Sequence, residues 1–412
     1  MSRALRLGVR GGGVVVCLWL LWLAVTTSIA NVTMLTDPAG AVRWAPHNGA
    51  ALAALSDHLL TPDAAADTVE RARRLAQAAL VRDPTTVLAA RTLGLIADAR
   101  GRPDQAKRLF AYAEGLTRRD LATQLWLIES QVRADNVSGA LRHFDTALRV
   151  SRHGPSILFP VLVAATDDAT LLPALAGTLA RNPAWRDGYL REVIRSGPSP
   201  RALVVLAGLL RAAGSPIDDS QTNALLARLV GDQQFGLARV AYTDAKGRQR
   251  APDAGLVIDG GFQSQPAFQP FDWFLADTPD IYAVRELRDG SNGNFALVFH
   301  AERDRNGRAA QQLLMLPPGR YQFSALAGDI QADRLALPAW QISCAGKTQS
   351  PLMQLRLPAA GAPESEVADS FEVPSRDCPA QWLRLQLRAS DAIDGVSGWV
   401  DEVTIRPRHA GD

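Results

Sequence analysis

The chain has 412 residues, 47% hydrophobic and 21% charged, enough for two or three domains of roughly 100–200 residues with cores of their own. That excludes a small disulfide scaffold and a wholly disordered polypeptide. Forty-four basic against 42 acidic residues leave a formal charge of +2, so no overall positive field draws nucleic acid, and six scattered histidines argue against a His-rich metal centre.

Residues 1–10 carry Arg3, Arg6 and Arg10, and no charged side chain follows until Asp37. The intervening apolar stretch, 11–36, is long enough to cross a bilayer as a helix. With basic residues only ahead of it, the positive-inside rule keeps residues 1–10 cytoplasmic and exports the rest. The expectation is a single-pass bacterial inner-membrane protein with a periplasmic bulk. A cleaved signal peptide is the alternative, because Ser28-Ile29-Ala30 offers small residues at cleavage spacing. Cys17 lies within the apolar run, behind Val16, and does not read as a lipidation site.

Residues 46–246 are Ala- and Leu-rich, and helical periodicity is broken at Gly101, Gly154-Pro155, Pro183, Gly197-Pro198 and Gly214. Paired helices are predicted. Ala72, Ala106 and Ala140 recur every 34 residues, as do Ala79, Ala113 and Ala147, and Ala76, Phe110 and Phe144. Three columns at one period mark a repeat whose small residues let helices approach and whose aromatics fill the gap to the next pair. Leu93-Gly94, Gly101, Ala106, Phe110 and Ala113 stand where the tetratricopeptide repeat has its Leu-Gly, interhelix Gly and helix-B Ala, Phe and Ala. Residues 49–152 resemble that family, although Asp135 replaces the interhelix glycine of the third repeat and Arg118 and Arg152 replace closing prolines. Further helices are predicted over 156–165, 168–181, 185–196, 200–213, 220–230 and 233–245. The resemblance implies a groove for protein partners, with Arg91, Asp98, Gln124 and Gln131 as candidate lining residues; a solvated helix face is the alternative for each.

Residues 254–407 change grammar. Tyr321, Phe323 and Ala325 alternate with polar residues, as do Trp340, Ile342 and Cys344, and Leu383, Leu385 and Leu387. About ten such runs, with turn cues at Asp289-Gly290, Asn292-Gly293, Pro317-Pro318-Gly319 and Asp394-Gly395, predict an antiparallel jelly-roll sandwich, with an open barrel as runner-up. The phase puts Trp340 and Trp399 in the core and Trp382 on a polar face, free to stack on a ligand or to cover a disulfide. Trp273, in a loop-like stretch, suits either packing or ligand contact. Cys344 and Cys378 suit a disulfide in an exported domain, two buried thiols being the alternative.

The opening Asp259-Gly260-Gly261-Phe262-Gln263 and the closing Trp399-Val400-Asp401-Glu402-Val403-Thr404-Ile405 resemble galactose-binding-like and carbohydrate-binding-module sandwiches. That resemblance implies a structural calcium site, for which Asp401 is in place whereas Gln263 departs from the usual glutamate.

No nucleophile and base set, phosphate loop or metal motif stands out, and Asp401 and Glu402 point to opposite faces of a regular strand. No enzyme activity is expected. The expected architecture is multidomain: a transmembrane helix, an all-α repeat solenoid and an all-β sandwich. Its expected role is a membrane-anchored scaffold that contacts other envelope proteins, accessory to envelope or exopolysaccharide assembly. A polysaccharide-binding protein acting through the sandwich is the alternative.

Overall fold

The computed structural model describes residues 3–197, 199–247, 256–288, 293–346, 350–358, 361–362 and 364–408, with side chains from Val15 onward. The turn cues at Asp289-Gly290 and Asn292, and the break at Pro198, lie outside these residues. Two compact units are present, residues 1–162 with 183–185, and residues 163–182 with 186–412.

The first unit begins with α1 (Arg3–Thr33), whose segment Val15–Thr33 has a mean hydropathy of 2.0 and is long and apolar enough to cross a membrane. Then follow α2 (Pro38–Trp44), α3 (Gly49–Leu59), α4 (Ala66–Arg82), α5 (Val87–Ala99), α6 (Pro103–Leu116), α7 (Leu121–Arg133), α8 (Val137–Val150) and α9 (Gly154–Ala165), which runs to the end of this unit and just beyond. Asp37, Asn48, Asp120 and Asn136 cap α2, α3, α7 and α8 with side-chain oxygens, satisfying amides that have no partner inside the helix.

Helices α4, α6 and α8 end 34 residues apart, and the alanine and aromatic columns lie on their buried faces. Ala72, Ala79, Ala106, Ala113 and Ala147 have no exposed surface, and Ala140 and Phe144 are buried. Gly94 is required: a Cβ there would lie 2.8 Å from the Phe110 ring. Phe110 in turn stacks on Trp126 of the next pair at 4.2 Å, each ring contributing roughly 2–3 kcal/mol by burial. Leu93 is half-buried against the cluster of α3 and α4. Gly101 turns the chain in the left-handed region (φ 68°), and Asp135 adopts that same conformation (φ 51°) one period later, as aspartate can at some cost.

In the second unit come α10 (Leu172–Leu179), α11 (Arg186–Ser196), α12 (Pro200–Ala212), α13 (Asp219–Gly231) and α14 (Phe235–Lys246). The strands follow: β1 (Phe274–Leu275), β2 (Ile281–Leu287), β3 (Phe295–Ala301), β4 (Gly307–Leu314), β5 (Gly319–Gln331), β6 (Ala339–Cys344), β7 (Met353–Arg356), β8 (Ser365–Val373), β9 (Gln381–Leu387) and β10 (Val396–Pro407). They make two antiparallel five-stranded sheets, a first of order β1-β4-β9-β6-β7 and a second of order β2-β3-β10-β5-β8. Trp273, Phe299, Phe323, Trp340, Leu383 and Leu385 fill the core between them.

Asp272 ties α14 to the sandwich. It is 5% exposed and accepts from Tyr242 Oη at 2.7 Å and from the Ala267 and Phe268 amides at 2.9 and 2.8 Å, while Lys246 Nζ lies 2.7 Å away. Burial alone would push this carboxyl up; the bond from Lys246, with those of the two amides and Tyr242, outweighs it and holds it below its ordinary value. Its stabilisation is therefore present above the unfolded carboxylate pKa and lost as pH falls through the lower folded one.

Candidate binding face

Alternation in the first sheet turns Leu383, Leu385, Leu387, Trp340, Ile342 and Met353 inward. Their neighbours point outward, and strand register assembles them into rows. One row runs Leu313, Trp382, Ser343 across β4, β9 and β6. The next runs Gln311, Arg384, Gln341, Gln354 across β4, β9, β6 and β7, and the third Arg308, Gln386, Ala339, Arg356. Leu313 and Ala339 are buried; Arg308, Gln354 and Arg356 are exposed and the other polar residues of the rows half-buried, except Ser343 at 9%. The result is a strip of glutamine amides and guanidinium groups beside one indole. The Arg384 guanidinium lies 5.2 Å from the Trp382 ring centroid, close enough for attraction to the ring face. Arg308 donates to Gln311. Among the described residues the Nε of Arg384 is buried without a hydrogen-bond partner, and burial followed by the charge of Arg308 pushes the guanidinium pKa down. Amides that both donate and accept, fixed donors and an indole can together hold hydroxyls and the apolar face of a ring.

The second sheet's outer face is built differently. Tyr282, 40% exposed, stacks on His300 of the neighbouring strand at 5.2 Å. Trp399 was expected in the core, in phase with Val403 and Ile405, but it faces outward. A bulge between Asp401 and Thr404, with Glu402 at φ 49°, shifts the alternation by one residue. Its ring lies against Gly328 on one side and under the Arg288 guanidinium on the other, 5.0 Å from the centroid, and its Nε1 donates to Asp329 at 2.8 Å.

Asp401, with no exposed surface, sits beside Trp399. It accepts from Asn294 Nδ2 at 2.8 Å and from the Glu402 amide at 2.7 Å, and Arg288 Nη1 lies 3.7 Å away. Arg288 also reaches Glu364 at 3.3 Å. Burial pushes the Asp401 carboxyl above its ordinary value. These surroundings do not fit the implied calcium ion. Hard cations take oxygen acceptors, whereas Asp401 accepts from two N–H donors and faces the Arg288 guanidinium at 3.7 Å, and the Gln263 amide donates to Asn294 Oδ1 and the Phe295 carbonyl. The guanidinium stands where the positive charge was expected.

Cys344 and Cys378 form a disulfide on the core side. Trp382 does not cover it, being on the opposite face of β9; Gln381 does, donating to the Cys378 carbonyl at 2.9 Å. Trp273 is 1% exposed, against Phe262 and Trp340, with Nε1 donating to the Asp259 carbonyl at 3.0 Å. It offers no ring face to a ligand, and its ligand-contact reading is corrected to core packing.

The candidate groove residues of the helical region are engaged internally. Arg91 bridges Asp57 and Asp120 at 2.5 and 2.6 Å. Gln124, with no exposed surface, lies 2.9 Å from the His143 ring, Gln131 accepts from Asn136 at 2.7 Å, and Asp98 faces Arg133 at 3.8 Å. The glutamines and arginines beside Trp382 were not singled out in the sequence. Their signal was present: each occupies the polar phase of a strand whose other phase is apolar.

No protein-family model matches the sequence, and no curated protein matches it. Among solved structures the C-terminal sandwich is similar to several carbohydrate-binding modules. One described as a CBM4 module is 14% identical, with TM-score 0.28, over 37% of this chain and 99% of that one. A CBM61 module in complex with β-1,4-galactotriose is 15% identical, with TM-score 0.27, over 38% and 100%. The CBM22-1 xylan-binding domain of Paenibacillus barcinonensis Xyn10C is 12% identical, with TM-score 0.26, over 39% and 100%.

Proposed function

We propose that the protein is an exported, membrane-tethered polysaccharide-binding protein whose sandwich holds a glycan chain across the outer face of its first sheet. The observation that carries this reading is the three-row strip in which Trp382 lies beside Arg384, Gln311, Gln341, Gln354 and Gln386. The apolar helix Val15–Thr33, with basic residues ahead of it, supports the tether. A scaffold for envelope proteins is the other use open to the 34-residue helical array, but the polar residues expected to line its groove are bonded within the chain.

The test is affinity electrophoresis of the detergent-solubilised full chain through gels containing soluble polysaccharides. Retardation by at least one polymer is expected. Trp382→Ala and the pair Gln341→Ala, Gln354→Ala should each weaken it about tenfold, the equivalent of roughly 1.4 kcal/mol, while Tyr282→Ala on the opposite face should leave it unchanged. Loss in Tyr282→Ala with retention in Trp382→Ala would move the site to the other sheet; no retardation by any polymer would refute the reading.

A further inference from the structure

We infer that the glycan taken by this face is acidic, a polymer bearing carboxylates that pair with Arg384, Arg308 and Arg356. This rests on the binding reading above and specifies its ligand class.

The outward positions of the three rows hold three arginines and no carboxylate. Most other half-buried arginines among the described residues meet an acid or carbonyl oxygens; the exceptions are Arg239, which lies over the Tyr242 and Phe271 rings, and Arg388. Arg91 has Asp57 and Asp120, Arg288 has Asp401 and Glu364, and Arg228 has Asp232 and the carbonyls of Ile194, Arg195 and Gly197. Among the described residues Arg384 has neither; its neighbours are the Trp382 ring and the charge of Arg308. A desolvated cation left without a counter-charge is costly to the fold, and a guanidinium held over an indole presents its fork to a planar carboxylate.

The placement fits a polymer. Arg308 and Arg356 occupy the two ends of one row, three strands and so about 14 Å apart, and Arg384 stands in the next row between them. The charges thus follow the sheet transversely, along the line in which the glutamines lie, so successive sugars of one chain would meet successive cations. A neutral glycan would need the amides and the indole but no arginine trio.

The experiment compares four probes on the full chain in detergent by titration calorimetry: polygalacturonate, the same polymer with its carboxyls reduced to alcohols, dextran sulfate, and single-stranded DNA. Polygalacturonate should bind at least tenfold more tightly than its reduced form, and more tightly than the sulfated polymer and the DNA. Arg384→Gln should remove that advantage, weakening polygalacturonate at least tenfold more than it weakens the reduced polymer, with the thermal unfolding unchanged. Equal affinity for the intact and reduced polymers would overturn the acidic assignment and leave the polysaccharide reading standing. Dextran sulfate or DNA binding as tightly as polygalacturonate would overturn it in favour of unspecific polyanion attraction. Binding of none of the four, with neutral polymers also failing to retard the chain in gels, would sink both readings.

Discussion

Arg288 and Arg384 occupy equivalent settings on opposite faces of one sandwich. Each is half-buried, and each lies over a tryptophan, at 5.0 Å and 5.2 Å. Arg288 is flanked by Asp401 and Glu364, whereas among the described residues Arg384 has only Arg308 as a charged neighbour. A guanidinium that completes an internal ion network holds the fold together; one kept without a counter-charge weakens it and is left for a ligand. Position and packing alone would not separate the two residues; the counter-ions do.

The largest effect that would test this contrast is on Arg288. Arg288→Met leaves Asp401 fully buried with only Asn294 and one backbone amide, and should lower unfolding free energy by about 3 kcal/mol in urea titrations. The pH dependence has a definite sign. Asp401 is already raised in the folded state, so its contribution favours folding at low pH and is lost as pH rises through the folded value. Removing the guanidinium raises it further, and the deficit of the variant relative to the native protein should shrink as pH is lowered toward about 4. A deficit that grew on acidification would mean Arg288 does not neutralise Asp401.

Next in size is the double variant Arg288→Met, Asp401→Asn. Taking the charge from both partners should recover about 1–2 kcal/mol of the single-variant loss; strict additivity in the double-mutant cycle would show that the two side chains are uncoupled. Arg384→Met should behave oppositely to Arg288→Met, leaving stability unchanged or raising it by up to about 1 kcal/mol. A loss of that size in calorimetry would reveal a counter-ion and erase the contrast. The smallest expected effect concerns calcium: millimolar calcium or a chelator should leave Tm of the full chain unmoved, because a ligand that does not bind the folded state cannot shift unfolding. A calcium-dependent rise in Tm would show that a cation displaces the donors around Asp401.

Much of this was legible in the residues. The 34-residue columns exposed the helix pairs because packing between neighbours repeats with the chain, and Ala106, Phe110 and Ala113 lie buried where the period put them. Leu383, Leu385 and Leu387 identified the inner face of β9 and so turned Trp382 outward. Trp399 was misread because one residue inserted at Glu402 inverts the phase, and a bulge is defined by pairing with another strand. Trp273 was ambiguous because an irregular loop has no period from which to infer a face. Arg91 was offered to a partner because its two acids, Asp57 and Asp120, come from neighbouring helix pairs.

What the sequence by itself determined is everything whose cause is local or periodic: the apolar span, the helix pairs, the strands and their inward phases. Tertiary structure decided which outward residues meet. Gln311, Arg384, Gln341 and Gln354 become one row only through the order β4-β9-β6-β7, which hydrogen-bonds strands far apart in the chain. It also decided which arginines are neutralised, because the Coulomb interaction depends on distance and burial, and both arise only when the sheets close on their core.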